Sequence, residues 1–305
     1  MIDFLLLSLG VVCAGIGGEL FVRGTVGIAR WARISPGIVG ATVAAFATSS
    51  PELSVSVSSA LAGQPEIALG DALGSNVVNV ALILALALVI SAIRTPPGSI
   101  RRDFPVAALA PVLTGLLFLD GELSRLDGAL LMGVFISWLL ATVVEVRKQR
   151  RDATELIGEH RHGLAILSCL GGMLALASAG YLIVSGARGV AAAFGIDEFI
   201  VGATLVAIGT STPELATTIV AKWRGHDEVG IGTIIGSNIF NNLFIVAVAA
   251  MIHPISVAWR EVAVALGFGI VALVFCYPPR DGCIGRGRGW LLLAVYVAYN
   301  ATLFQ

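Results

Sequence analysis

Charge is what this chain has least of. Only 13% of its 305 residues are Asp, Glu, Lys or Arg, and 57% are hydrophobic, with mean hydropathy +0.91. Soluble domains carry about 25% charged residues, so the composition predicts a polytopic membrane protein. The net charge of −1 offers no basic surface for nucleic acid. Cysteine is scarce too: Cys13, Cys169, Cys276 and Cys283 form no CxxC pair, and three lie in apolar runs as small packing residues. Only four histidines occur, His160, His162, His226 and His253, all in polar connections. No two share a helix face as zinc would require. The spans hold no Ser/His pair and no twin catalytic Asp, which argues against an intramembrane enzyme and implies no cofactor. The apolar start lacks a basic region before it and is expected to be a first span rather than a cleaved signal.

What remains is apolar sequence in span-length pieces. A helix needs about 20 apolar residues to cross a bilayer. Ten candidates are expected, at 2–29, 36–61, 66–92, 104–119, 126–146, 164–187, 198–221, 228–252, 261–277 and 290–304. Turn signals separate them at Gly63-Gln64-Pro65, Pro96-Pro97-Gly98, Asp120-Gly121 and Pro278-Pro279. The longest connection, 147–163, is charged and divides the chain into halves, 1–146 and 164–305. With both termini outside, 15 of the 19 basic residues fall in inside loops. That is the asymmetry expected of cytoplasmic loops. An inner-membrane location follows from this reading.

Inside this frame lies a duplication. Residues 40–79 return without a gap at 202–241, and 16 of the 40 aligned positions are identical. Each copy holds a Thr-Ser-x-Pro-Glu core, at 48–52 and 210–214, and a Gly-Ser-Asn-x-x-Asn segment, at 74–79 and 236–241. Five spans per half is an odd number, so the second copy enters the membrane from the opposite face. The expected fold is therefore all-α, with ten transmembrane helices as two inverted five-helix repeats. Secondary transporters use this architecture and place ion sites where interrupted helices meet at midplane. Channels can share it.

The motif chemistry suits a hard cation. Pro51 and Pro213 lack an N–H and crowd the carbonyls of Ala47 and Gly209, so each second-span helix should kink there. Freed carbonyls in hydrocarbon are costly unless something binds them. Thr48, Ser49 and Glu52 fall within about one turn, as do Thr210, Ser211 and Glu214. Ser75 with Asn79, and Ser237 with Asn241, add hydroxyl and amide oxygens at i,i+4. Oxygen donors without soft ligands fit calcium or sodium and not copper or zinc. A buried carboxylate costs roughly 2.5–3.5 kcal/mol on insertion scales. A lone one is often a structural ion pair. Two placed by duplication, each beside a proline, point to cations that must occupy the site in turn. Ser and Thr within spans more often bond neighbouring helices, and here their clustering around Glu promotes them.

These motifs resemble the calcium:cation antiporter superfamily, and most closely its sodium/calcium exchanger branch of prokaryotic type. The resemblance covers the whole chain. It implies antiport of Na+ and Ca2+ by alternating access, with Glu52 and Glu214 as shared carboxylates and Thr48, Ser49, Thr210 and Ser211 as hydroxyl ligands. It adds the carbonyls of Ala45 and Ala207, and Ser75, Asn79 and Ser237. Family members often carry Asp where this chain has Asn241, so the residue leaves two acids at the centre. The proton-coupled branch has Asn-Ala-x-Glu in place of the core motif, which favours sodium; Ca2+/H+ exchange, another divalent cation, or a channel are the alternatives. Ions and the bilayer are the implied partners, with no obligate protein partner evident. The resemblance also implies sliding of the first and sixth helices, for which Gly15, Gly18, Gly24, Gly27, Gly171, Gly172, Gly180 and Gly186 would allow close packing; tight static packing explains these glycines equally well. Glu19 and Arg23, at i,i+4, are expected to pair. Asp71, one turn before Ser75, is an acid whose counterpart is Thr233, placed either at a mouth of the site or in a solvated path.

Overall fold

A computed structural model describes residues 2–61, 63, 65–152, 162–193, 207–257 and 259–303. The middle of the expected 147–163 link and the start of the expected 198–221 span lie outside these residues. The described chain is helical apart from four two-residue strands and short connections. In order the helices are α1 (Ile2–Ala32), α2 (Pro36–Thr48), α3 (Ser50–Leu61), α4 (Pro65–Ile90), α5 (Pro97–Leu117) and α6 (Arg125–Asp152), then α7 (His162–Ala193), α8 (Ala207–Thr210), α9 (Thr212–Trp223), α10 (Asp227–Ile252), α11 (Trp259–Cys276) and α12 (Arg286–Leu303). Among the described residues five helices are long and apolar enough to cross a membrane, or six if the bent pair α2–α3 counts as one span.

The boundaries differ from expectation where helix chemistry extends beyond the apolar run. The expected turn at Pro96-Pro97-Gly98 is instead the start of α5, with Pro97 in its first turn. A proline there lacks only an N–H that has no partner anyway. Helix α6 runs on to Asp152, into the charged link, since its last turns need no lipid contact.

Helices α4 and α10 form the centre. Their apolar windows are 78% and 83% enclosed, against 22–41% for the other long spans. Around them pack α5, α6, α11 and α12, joined through one buried cluster that includes Leu84, Phe104, Leu131, Ile235 and Leu292. Two antiparallel ladders close the ends. Strand β1 (Ile93–Arg94) pairs with β4 (Cys283–Ile284), and β2 (Glu122–Leu123) pairs with β3 (Ile255–Ser256). Each ladder joins one strand from before residue 153 to one from after 161, so the halves are stitched together twice. Lys222 adds a third stitch by donating to the Ala92 carbonyl at 2.6 Å and to Asp227 at 3.0 Å.

One buried charge in this scaffold is structural. Asp103 is fully buried, yet it accepts two bonds from Arg102, at 2.6 and 2.9 Å, and one from the Trp138 indole at 3.1 Å. It thereby ties α5 to α6. Removing one partner of a buried pair costs about 3–5 kcal/mol. Asp103→Ala is therefore expected to lower the thermal midpoint in detergent sharply, whereas Asp103→Asn, which still accepts from Trp138, lowers it less.

Candidate functional site

The site forms where two helix breaks meet α4 and α10. Between α2 and α3 the axis turns by 43°, at Ser49. Ser49 has φ −84° and ψ 12°, and Ser211, at the junction of α8 and α9, has φ −83° and ψ 8°. Both sit in the sparsely populated bridge region that functional residues often adopt. The proline in each motif explains the break, as the sequence predicts. What the sequence does not reveal is the hydroxyl bonding around it. Ser50 donates to the Phe46 carbonyl at 3.0 Å, and Thr212 donates to the Ile208 carbonyl at 3.1 Å. Each accepting carbonyl lies one residue before the one the proline crowds.

The two acids are locked across the break rather than within it. Ser49 donates to Glu214 Oε1 at 3.0 Å, and Ser211 donates to Glu52 Oε1 at 3.3 Å. Each half thus holds the other half's carboxylate. Ser237 also donates to Glu214 Oε1, at 3.1 Å. Glu52, Glu214, Ser49, Ser211, Ser75, Asn79, Ser237 and Asn241 are fully buried, and Thr48 and Thr210 nearly so. Thr48 donates to the Ala45 carbonyl at 3.3 Å, which brings that expected ligand against the same turn. Ala207 opens α8, one turn ahead of Ser211.

Several polar atoms here have no partner among the described residues. Glu52 Oε2, Glu214 Oε2, Ser75 Oγ, Asn79 Oδ1 and both side-chain polar atoms of Asn241 are buried and unpaired. Among the described residues no Lys or Arg forms an ion pair with either Glu. An uncompensated buried carboxylate is expensive, and a pair of them more so. The bonding leaves one free oxygen on each acid, and this is the donor set a desolvated hard cation would complete.

The central helices are shaped for this. Helix α4 widens to π geometry over Val78–Leu84 and α10 over Phe240–Ile245, and α2 does so over Gly40–Ala44. Such bulges often mark functional sites. Asn79 and Asn241 lie inside them. Sequence reasoning missed the asparagines beside them. Asn79 donates to Asn238 Oδ1 at 3.1 Å, and Asn238 donates to the Asn76 carbonyl at 3.2 Å. The Gly-Ser-Asn motif held the signal, since its own Asn is what braces α4 against α10. Gly236 of the same motif is where α10 meets α2: a Cβ there would stand 2.3 Å from the Ala41 carbonyl oxygen.

Helices α1 and α7 cover the breaks. A Cβ on Gly24 would lie 2.4 Å from the Cys169 nitrogen, and one on Gly172 would lie 2.5 Å from the Phe21 nitrogen. Gly18 and Gly27 are also close-packed, whereas Gly15 and Gly171 face open space. Gly17, which the sequence reading passed over, belongs with the tight set at 2.9 Å from Leu176. A small void of ≈ 10 Å³, room for about one water, lies among Phe21, Thr48, Pro51, Met173 and Pro213. Glu19 pairs with Arg23 as expected, and also with Arg224 beyond the end of α9, at 2.5 and 2.8 Å.

Comparison with known proteins agrees with this geometry. A family profile described as sodium/calcium exchanger protein matches residues 2–144 and 164–305. The chain is 32% identical to the putative antiporter CaxA of Alkalimonas amylolytica, covering 100% of this chain and 99% of that one. It is 34% identical to the inner membrane protein YrbG of Escherichia coli K12, covering 98% and 96%. The solved sodium-calcium exchanger NCX_Mj, soaked with 2.5 mM Na+ and 0.1 mM Ca2+, superposes with a TM-score of 0.85 at 28% identity, over 99% of each chain.

Proposed function

Because the chain belongs to the sodium/calcium exchanger protein family, we propose that it is a cation antiporter exchanging Na+ for Ca2+ at the site between the two helix breaks. The reciprocal hydrogen bonds carry this reading. Each buried acid is fixed by a hydroxyl of the opposite half and keeps one oxygen free. A divalent cation would neutralise both carboxylates at once, and monovalent cations would do so as a set. The two loads therefore compete for the same oxygens. A site that different ions occupy in turn, while covered from both sides, couples their movement.

In this reading Glu52 and Glu214 supply the charge. Thr48, Ser49, Thr210, Ser211, Ser75 and Ser237 supply hydroxyl oxygens, Asn79 and Asn241 amide oxygens, and Ala45 and Ala207 carbonyls. Ten spans in two inverted repeats position them, with both termini outside the cytoplasm and a short cytoplasmic link. Three features support that symmetry. The breaks at Ser49 and Ser211, the π stretches beginning at Val78 and Phe240, and strands Ile93–Arg94 and Ile255–Ser256 all recur at the same 162-residue offset.

The test is flux in proteoliposomes. An imposed sodium gradient should drive calcium-45 against its own gradient, and potassium or proton gradients should not. Calcium movement that follows an imposed pH gradient and ignores sodium would replace this reading with calcium/proton exchange. Passive calcium flow without any counter-ion would replace it with a channel.

A further inference from the structure

Resting on the exchange reading, we infer that Asp71 is a specificity-determining residue of this site: one turn outside Ser75 on the same face of α4, it adds a third acid at one mouth, which favours divalent over monovalent cations. The sequence left Asp71 between a mouth acid and a solvated bystander. The structure separates these. Asp71, Ser75 and Asn79 follow one another at i,i+4 along one face of α4. Their exposure falls along that face: Asp71 is partly exposed, and Ser75 and Asn79 are fully buried. The face thus runs from the Pro65 end of the helix into the site. Asp71 stands where the two meet.

Asp71 Oδ2 is buried without a hydrogen-bond partner among the described residues. Helix α8, which ends at Thr210, packs on α4. Asp71 also lies close enough to Glu52 and Glu214 for their charges to act on one another. Among the described residues no three His, Cys, Asp or Glu side chains lie together as one metal cage. Asp71 therefore does not complete a ligand shell with both glutamates. Its action is to deepen the potential a cation meets on entry. In a cleft with low-dielectric walls such a charge is focused rather than screened.

The arrangement breaks the internal symmetry. Thr233, the counterpart, spends its hydroxyl on the Val229 carbonyl at 2.9 Å within its own helix. The second repeat has no acid at this register.

Charge predicts a specific pattern. A change in local potential acts on an ion in proportion to its valence. If Asp71→Asn raises the calcium dissociation constant about tenfold, about 1.4 kcal/mol, the sodium half-displacement concentration should rise only about threefold. Asp71→Glu should restore most of the calcium affinity. The measurement is calorimetric titration of Ca2+ into the full-length protein in detergent, with sodium competition and choline as background salt. Unchanged calcium binding in Asp71→Asn, or equal losses for both ions, would overturn the inference while leaving the exchange reading intact. A wild type that binds neither ion would remove both.

Discussion

Glu214→Gln and Glu52→Gln are each expected to reduce sodium-driven calcium uptake to that of empty liposomes. Glutamine keeps the shape and can still accept from Ser49 and Ser237, or from Ser211, so the fold has no reason to fail. What is lost is charge at the one place where the cation has no water. Losing one of two carboxylates should weaken calcium binding by at least about a thousandfold, about 4 kcal/mol. The apo protein should behave in the opposite sense. Two unpaired acids repel, and replacing one by an amide removes that cost. The thermal midpoint without cation should hold or rise, and the upward shift on adding calcium should vanish, because stabilisation by a ligand follows its affinity. A variant that unfolds in the absence of cation would show that the glutamates are structural and would refute the site.

The second large effect concerns α1 and α7. Gly24→Ala and Gly172→Ala place a methyl 2.4 and 2.5 Å from backbone nitrogens that cannot move alone. The helices must part, at an overpacking cost of about 1–3 kcal/mol. Gly15→Ala and Gly171→Ala, where nothing lies within 4 Å, should be neutral. The four variants separate the two explanations of the glycines. If the contact is static, the tight pair loses stability and each folded molecule keeps its turnover. If α1 and α7 slide, turnover per folded molecule falls as well, on the order of tenfold for 1.4 kcal/mol of added barrier. Phe21 on α1 and Leu176 on α7 pack with Ala44 and Ala47 beside the first break, so such a displacement would be felt at the site. Calcium-45 flux normalised to monodisperse protein, read beside thermal midpoints, distinguishes the cases.

Much of this was legible in the sequence because it rests on local rules. A proline at the same place in each copy of the duplicated motif marked both breaks, although Pro105 and Pro111 lie within α5 without interrupting it. Span-length apolar runs placed most ends of the described helices to within a few residues, but α5 begins at Pro97, seven residues before the expected 104, and α6 and α7 run to Asp152 and Ala193, six residues past the expected 146 and 187. The partners were not legible. That Ser49 would bond Glu214 rather than Glu52 depends on how two distant segments cross, and no periodicity encodes it. Asn238 looked like a repeat of motif spelling until its bond to Asn79 gave it a role. Gly15 and Gly24 are equally small in sequence, and only the neighbouring helix makes one indispensable. Glu19 was expected to pair with Arg23, but nothing local hinted at Arg224, 205 residues away.

The crossed bonds between Ser49 and Glu214, and between Ser211 and Glu52, also speak to ancestry. Neither half of the chain owns a finished site, since each lends its hydroxyl to the other's acid. With the halves inverted as proposed, a forebear of half this length would have worked as a pair of molecules lying in opposed orientations. Fusion of the two genes would then have fixed a partnership that chance insertion had previously supplied.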